Sequence, residues 1–220
     1  LVLVVTQPSH AETVEVAKDV RVTKKTFAAP INEQPFFGFA EKTPDQKAVD
    51  DKFVVDVIAA AGSREKAFDA TVQRGWALIT KGSYAEAAKR FNQAYLLRPE
   101  QSAIYHSFAV IAVARFNDQD FADELFKQAR KQPAPLKALS ADYGRFLLIA
   151  KRPKEALPML EQATVDSPDF ADAWSNLAFA RLQTGDTKSA CDAVAQADKL
   201  KPSVNVAGDL NIVRRQASCS

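Results

Sequence analysis

Little in this chain lends itself to catalysis. Of its 220 residues, two are histidine, two cysteine, one methionine and seven glycine. His10 lies in the first eleven residues, so only His106 remains beyond them, too few imidazoles for a His-rich metal site. A Ser-His-Asp relay would have to use His106, and no Gly-x-Ser-x-Gly elbow accompanies it. The glycines are scattered at turns and form no phosphate-cradling loop. Acidic neighbours such as Asp123-Glu124 are adjacent, so they point to different sides of a helix and form no carboxylate pair. We therefore expect no catalytic, metal-binding or cofactor-binding residues, and no enzyme. Strong net charge is also lacking: 29 basic and 27 acidic residues nearly cancel. That gives no field to attract nucleic acid or an anionic membrane. Beyond the first residues no long apolar run occurs, so stable membrane insertion of the mature chain is not expected.

What the chain has instead is a period. Ala87, Ala122, Ala156 and Ala190 stand 35, 34 and 34 residues apart. Seven residues after each comes a second alanine: Ala94, Ala129, Ala163 and Ala197. Pro99, Pro168 and Pro202 close three of the four blocks, and Ala134, between Pro133 and Pro135, fills the remaining slot. A period near 34 with small residues at fixed phase predicts stacked helix pairs. Residues seven apart share one helix face, and alanine there lets the neighbouring helix approach closely. Phe91, Phe126, Leu160 and Val194 sit between the alanines and fill the groove they leave.

These residues carry a family resemblance. The first block reads Gly75, Gly82, Tyr84, Ala87, Phe91, Ala94, Pro99, and the fourth reads Trp174, Leu177, Ala178, Gly185, Ala190, Ala197, Pro202. The third keeps Tyr143, Gly144, Ala156, Leu160, Ala163 and Pro168. The second keeps Tyr105, Phe108 and Ala109, with a turn, Phe116 to Asp120, one residue longer. The chain resembles the tetratricopeptide repeat family over residues 68 to about 202. The resemblance implies an all-α fold, a right-handed α-α superhelix of about four helix pairs with N- and C-terminal capping helices. Repeats are expected at about 68–101, 102–135, 137–170 and 171–204, within a helical domain spanning 44–217. In this family the first helices line a concave groove. The resemblance places Val72, Trp76, Ile79, His106, Val110, Asp142, Arg145, Ser175, Asn176 and Phe179 there. The family's clamp for a terminal carboxylate is not matched, because Val72 and Trp76 stand at its first two positions. The scaffold itself transfers no catalytic residue.

Local signals place the helix ends. Thr43-Pro44-Asp45-Gln46 predicts a capping box with proline at the first helical position. The stripe Val49, Phe53, Val54, Val57, Ile58, Ala61 then runs to Gly62, predicting a helix over 44–61 that covers the open edge of the first repeat. Ser63 caps the next helix. Ser83 to Glu86 predicts another capping box, and Gly185-Asp186 a left-handed stop followed by a carboxylate cap. Pro158 is expected to bend its helix. Val206, Leu210, Ile212 and Val213 predict an amphipathic C-terminal cap over 203–217.

The ends carry the remaining expectations. Leu1 to Val5 is apolar, and Ser9-His10-Ala11 is a small-x-small site. Residues 1–11 are therefore expected to be a signal-peptide remnant cleaved after Ala11, with a periplasmic mature protein. Residues 12–43 show only brief alternation at Val14, Val16, Val20 and Val22, and are expected to be extended and poorly structured. Within them, Pro35-Phe36-Phe37-Gly38-Phe39 is too apolar to stay exposed. Its aromatics either dock on the first helix, or the segment occupies the groove or anchors a partner. Cys191 and Cys219 either pair as a disulfide or leave a buried thiol and a free tail thiol. The function expected is a non-catalytic scaffold or adaptor in the bacterial periplasm. It would bind an unidentified envelope protein or peptide in its concave groove. The alternative is a self-associating structural protein, a homo-oligomer built through its repeats or the Phe-rich segment.

Overall fold

The computed structural model describes residues 12–219; the expected signal remnant, 1–11, lies outside them. The chain divides between Ala134 and Pro135 into two compact units.

The first unit begins with a two-stranded antiparallel hairpin, β1 (Thr13–Ala17) and β2 (Val20–Thr23). Two 3-10 turns follow, Ile31–Glu33 and Pro35–Phe39. Five helices complete it: α1 (Pro44–Ala61), α2 (Arg64–Ile79), α3 (Tyr84–Leu97), α4 (Ser102–Phe116) and α5 (Gln119–Ala129). Helices α2 and α3 pack as one antiparallel pair and α4 and α5 as the next, with α3 against α4. Ala87, Ala94, Ala122 and Ala129 are fully buried, as are Phe91 and Phe108. The close approach is sharpest at Gly75, where an added Cβ would lie 2.2 Å from the Phe91 ring. Only glycine lets α2 and α3 meet there.

Helix ends follow the sequence at most points. Thr43 and Gln46 form the reciprocal capping box of α1, and Gly62, in the left-handed region at φ 83°, ends the helix. Ser63 accepts from the Lys66 amide at the start of α2. At α3 the capping box does not form: the Ser83 side chain makes no cap bond, and the Glu86 carboxylate turns to Lys89 at 2.6 Å. The longer turn of the second pair is absorbed by Asn117 at φ 52°, after which Asp118 accepts from the Phe121 amide. Helix α1 is looser than its stripe predicts. None of its residues is buried, and Val49 is 68% exposed.

Residues 12–43 are not poorly structured. Val16, Val20 and Val22 of the hairpin are buried, and residues 27–39 form a strap across α3, α4 and α5. The sequence hides this because a two-stranded hairpin is too short to stand alone and takes its stability from the helices beneath. Phe36 to Phe39 run through four consecutive left-handed residues, at φ 53°, 54°, 61° and 56°. For non-glycine residues this region costs roughly 1–2 kcal/mol each, a strain that burial of Phe36 and the bonds around it must offset.

The second unit holds α6 (Leu139–Ile149), α7 (Pro153–Asp166), α8 (Ala171–Gln183), α9 (Thr187–Lys199) and α10 (Val204–Ala217). Helices α6 and α7 form one pair and α8 and α9 another, while α10 covers α8 and α9. Gly144 repeats the logic of Gly75, since a Cβ there would stand 2.5 Å from Leu160. Ala156, Ala190 and Ala197 are fully buried. Helix α7 continues unbroken through Pro158, which lies on its exposed side. Asp186 accepts from the Ser189 amide at the start of α9, and that bond holds its carboxyl below the usual range. In α10, Val206, Leu210 and Val213 are buried, whereas Ile212 points outward at 38% exposure. Cys191 of α9 and Cys219, just past α10, form a disulfide with Cα atoms 5.4 Å apart.

Candidate functional site: two interaction surfaces

The expected groove residues fall in both units, each with its own surface. In the first unit, Val72 and His106 are buried and therefore belong to the core rather than lining a groove. The His106 ring lies 4.8 Å from Trp76 and 5.8 Å from Phe126. Trp76 also meets Phe91 edge-on at 5.9 Å. Trp76, Ile79 and Val110 are half-buried. This aromatic stack cements α2 to α4, so burial rather than an accessible pocket is the first use of Trp76.

In the second unit the first helices of the two pairs, α6 and α8, lie side by side. Arg145 is exposed, Ile149 one turn on is 62% exposed, and Asp142, Asn176 and Phe179 are half-buried. Ser175 is buried. Four of this unit's arginines are occupied: Arg152 by Glu155, Arg181 by the Ser189 carbonyl, Arg214 by Asp198 and Arg215 by the Asn211 carbonyl. Among the described residues, Arg145 makes neither an ion pair nor a hydrogen bond. A guanidinium beside exposed aliphatic carbon can take a carboxylate or a backbone carbonyl in a forked bond.

The other surface was not legible in the sequence. Asn92 on α3 is fully buried. Its amide donates to the carbonyls of Asn32 (3.0 Å) and Gln34 (2.7 Å), and its Oδ1 accepts from the Phe37 amide (3.0 Å). Phe36 enters a socket of aromatic rings, 4.7 Å from Phe108, 5.4 Å from Tyr95 and 6.0 Å from Tyr105. The docking is thus on α3 and α4, not on the first helix. Glu33 sits between Lys89 of α3 and Arg115 of α4, paired with both. Lys89 is therefore not the bare surface residue its helical phase suggests. The hairpin is read through its backbone as well. Tyr95 donates to the Val16 carbonyl (2.6 Å), the Thr23 amide donates to Glu124 (2.7 Å), and Gln128 donates to the Arg21 carbonyl (3.1 Å). Burial pushes the hydroxyls of Tyr95 and Tyr105 above their ordinary range. Helix α1 stands off the strap, leaving clefts of about 470 and 420 Å³ that share Asn32, Phe37, Val49 and Asp50.

Among the described residues no group of three or more His, Cys, Asp or Glu side chains could hold a metal ion, and no helix is long and apolar enough to cross a membrane.

Stacked antiparallel helix pairs, closed by alanine contacts every 34 residues or so, define a helical-repeat protein. The sequence model of a tetratricopeptide repeat family matches residues 147–207. No curated protein matches the chain in sequence. Among solved structures, it is similar to pilF of Pseudomonas aeruginosa, at 23% identity and a TM-score of 0.61, over 70% of this chain and 71% of that one. It is also similar to MamA from Desulfovibrio magneticus RS-1, at 21% identity and a TM-score of 0.55, over 72% and 88% of the two chains. A third is YrrB, described as a tetratricopeptide protein with an unusual peptide-binding site, at 16% identity and a TM-score of 0.53, over 67% and 76%. At these identities the likeness is one of fold.

Proposed function

We propose that the protein is a non-catalytic scaffold or adaptor of the bacterial cell envelope, binding a peptide or protein segment on the α6–α8 surface. The observation that carries this reading is the exposed Arg145, which makes no ion pair or hydrogen bond among the described residues and lies one turn from exposed Ile149, with half-buried Asn176 and Phe179 on the neighbouring α8. An extended segment with an acidic group for Arg145 and an apolar side chain for Phe179 suits that surface. The helical-repeat fold supports the reading, as such solenoids expose long surfaces to other proteins. A periplasmic location is supported by the small-x-small site before Glu12 and by the Cys191–Cys219 disulfide, which persists where the environment is oxidising.

Partner captured from envelope extracts with the mature protein supplies the ligand for a binding isotherm. Arg145→Ala and Phe179→Ala should each weaken binding by roughly tenfold or more while circular dichroism stays unchanged. Wild-type affinity in both variants would remove the site from α6 and α8. N-terminal sequencing of protein made from the complete gene should find Glu12 first; a chain that keeps Leu1 would refute export.

A further inference from the structure

The surface under the strap has the properties of a recognition site. The helices bind a short segment of two turns through side chains that grip backbone groups, Asn92 above all, and through two side-chain pockets spaced three residues apart. One holds the carboxylate of Glu33 between Lys89 and Arg115. The other holds the ring of Phe36, which is only 4% exposed, among Tyr95, Tyr105 and Phe108. Such a surface resembles a ligand site more than a helix–helix contact.

We propose that α3, α4 and α5 carry a docking site for a Glu-x-x-Phe segment, filled here by the chain's own residues 27–36, and that in a dimer the same segment of a second copy takes its place. Three observations favour a second copy as the occupant. The segment is joined to the rest of the chain by the left-handed run at Phe36, Phe37, Gly38 and Phe39. That run turns the chain from the Phe36 pocket back toward α1, and a short hinge under strain favours exchange. Opened to an extended form, the turn loses its strain and carries residues 12–36 away from their own helices. Next, α1 has no buried residue and is flanked by clefts, and its described tie to the turn is Lys42, which pairs with Asp50 and lies over the Phe37 ring. Last, the hydrogen bonds and ion pairs described between residues 12–36 and the helices go to α3, α4, α5 and the α5 cap Asp118, and a second copy offers the identical set. The exchange uses no residue of α6 or α8, so it is independent of the groove.

Reversing the charge pair tests this with full chains. One variant carries Lys89→Glu and Arg115→Glu, and its site repels its own strap. The other carries Glu33→Lys, and its strap is repelled by its own site. Alone, each should sediment as a monomer. Mixed one to one, each strap finds a matching site only on the other chain, and a heterodimer should exceed either self-dimer by about tenfold. Phe36→Ala in both partners should abolish it. The chain with all three substitutions restores the pair within one copy and should protect its strap amides from hydrogen exchange, a control for folding. A mixture that stays monomeric beside a protected triple variant overturns the proposal, as does a heterodimer that survives Phe36→Ala. Wild-type protein gives a second reading. A dimer formed on concentration and lost with Phe36→Ala supports exchange; a monomer at every concentration overturns it.

Discussion

Single side chains set the helix contacts, and their volume is the constraint. Ala122 and Ala156 are fully buried where neighbouring helices touch, so Ala122→Leu and Ala156→Leu should each destabilise the protein by roughly 1–3 kcal/mol through overpacking. Lys154→Leu, on the exposed side of α7, should leave thermal unfolding nearly unchanged, and equal melting of all three variants would refute the register. These alanines were legible because a size limit at a helix contact returns with the repeat. Asn92 was not: its partners are backbone groups of Asn32, Gln34 and Phe37, which carry no side-chain pattern. Lys89 shows the same limit, since helical phase places it outside and only the path of the strap gives it Glu33. Arg145 could be named from its phase, but its lack of a partner among the described residues is a fact of three dimensions.

Among the elements, helices declared themselves through caps and stops, while the hairpin gave only a faint alternation at Val14, Val16, Val20 and Val22. A helix satisfies its own backbone; a two-stranded hairpin borrows part of its bonding and burial from elsewhere. Tyr95 is one of those loans, and its hydroxyl donates only while protonated. Burial raises its pKa above 10.0 in the folded state, so the stabilisation is complete below pH 10 and fades as pH rises through the folded value. Hydrogen exchange at Thr13–Thr23 should therefore accelerate above pH 10 before the helices melt. Tyr95→Phe should raise exchange there at neutral pH and flatten the alkaline rise. An unchanged alkaline profile in that variant would mean the hydroxyl does not hold the hairpin. In the α3 capping box the glutamate half went to a competing lysine one turn along.

For the molecule as a whole, the period of 34 residues was enough to read stacked helix pairs, whereas the fate of the two cysteines needed the fold. Their bond closes a stretch with a sequence separation of 28 residues, and a loop of that length is worth about 3.5 kcal/mol in the chain-entropy account. Reduction, or Cys219→Ser, should lower the thermal midpoint and release α10 first, seen as faster exchange at Leu210 and Val213. Identical midpoints with and without reductant would refute that role. The strap imposes an order on the chain's birth. A ribosome releases the hairpin residues before the helices, and Glu124 and Gln128, which bind the strand at Thr23 and Arg21, emerge about 100 residues later. At ~5–20 residues per second that is a wait of roughly 5–20 s. Val20 and Val22 lack their full cover until then, and Phe36 until Phe108 emerges, so the nascent protein is most in need of a chaperone at the hairpin and strap, which are made before the helices that hold them.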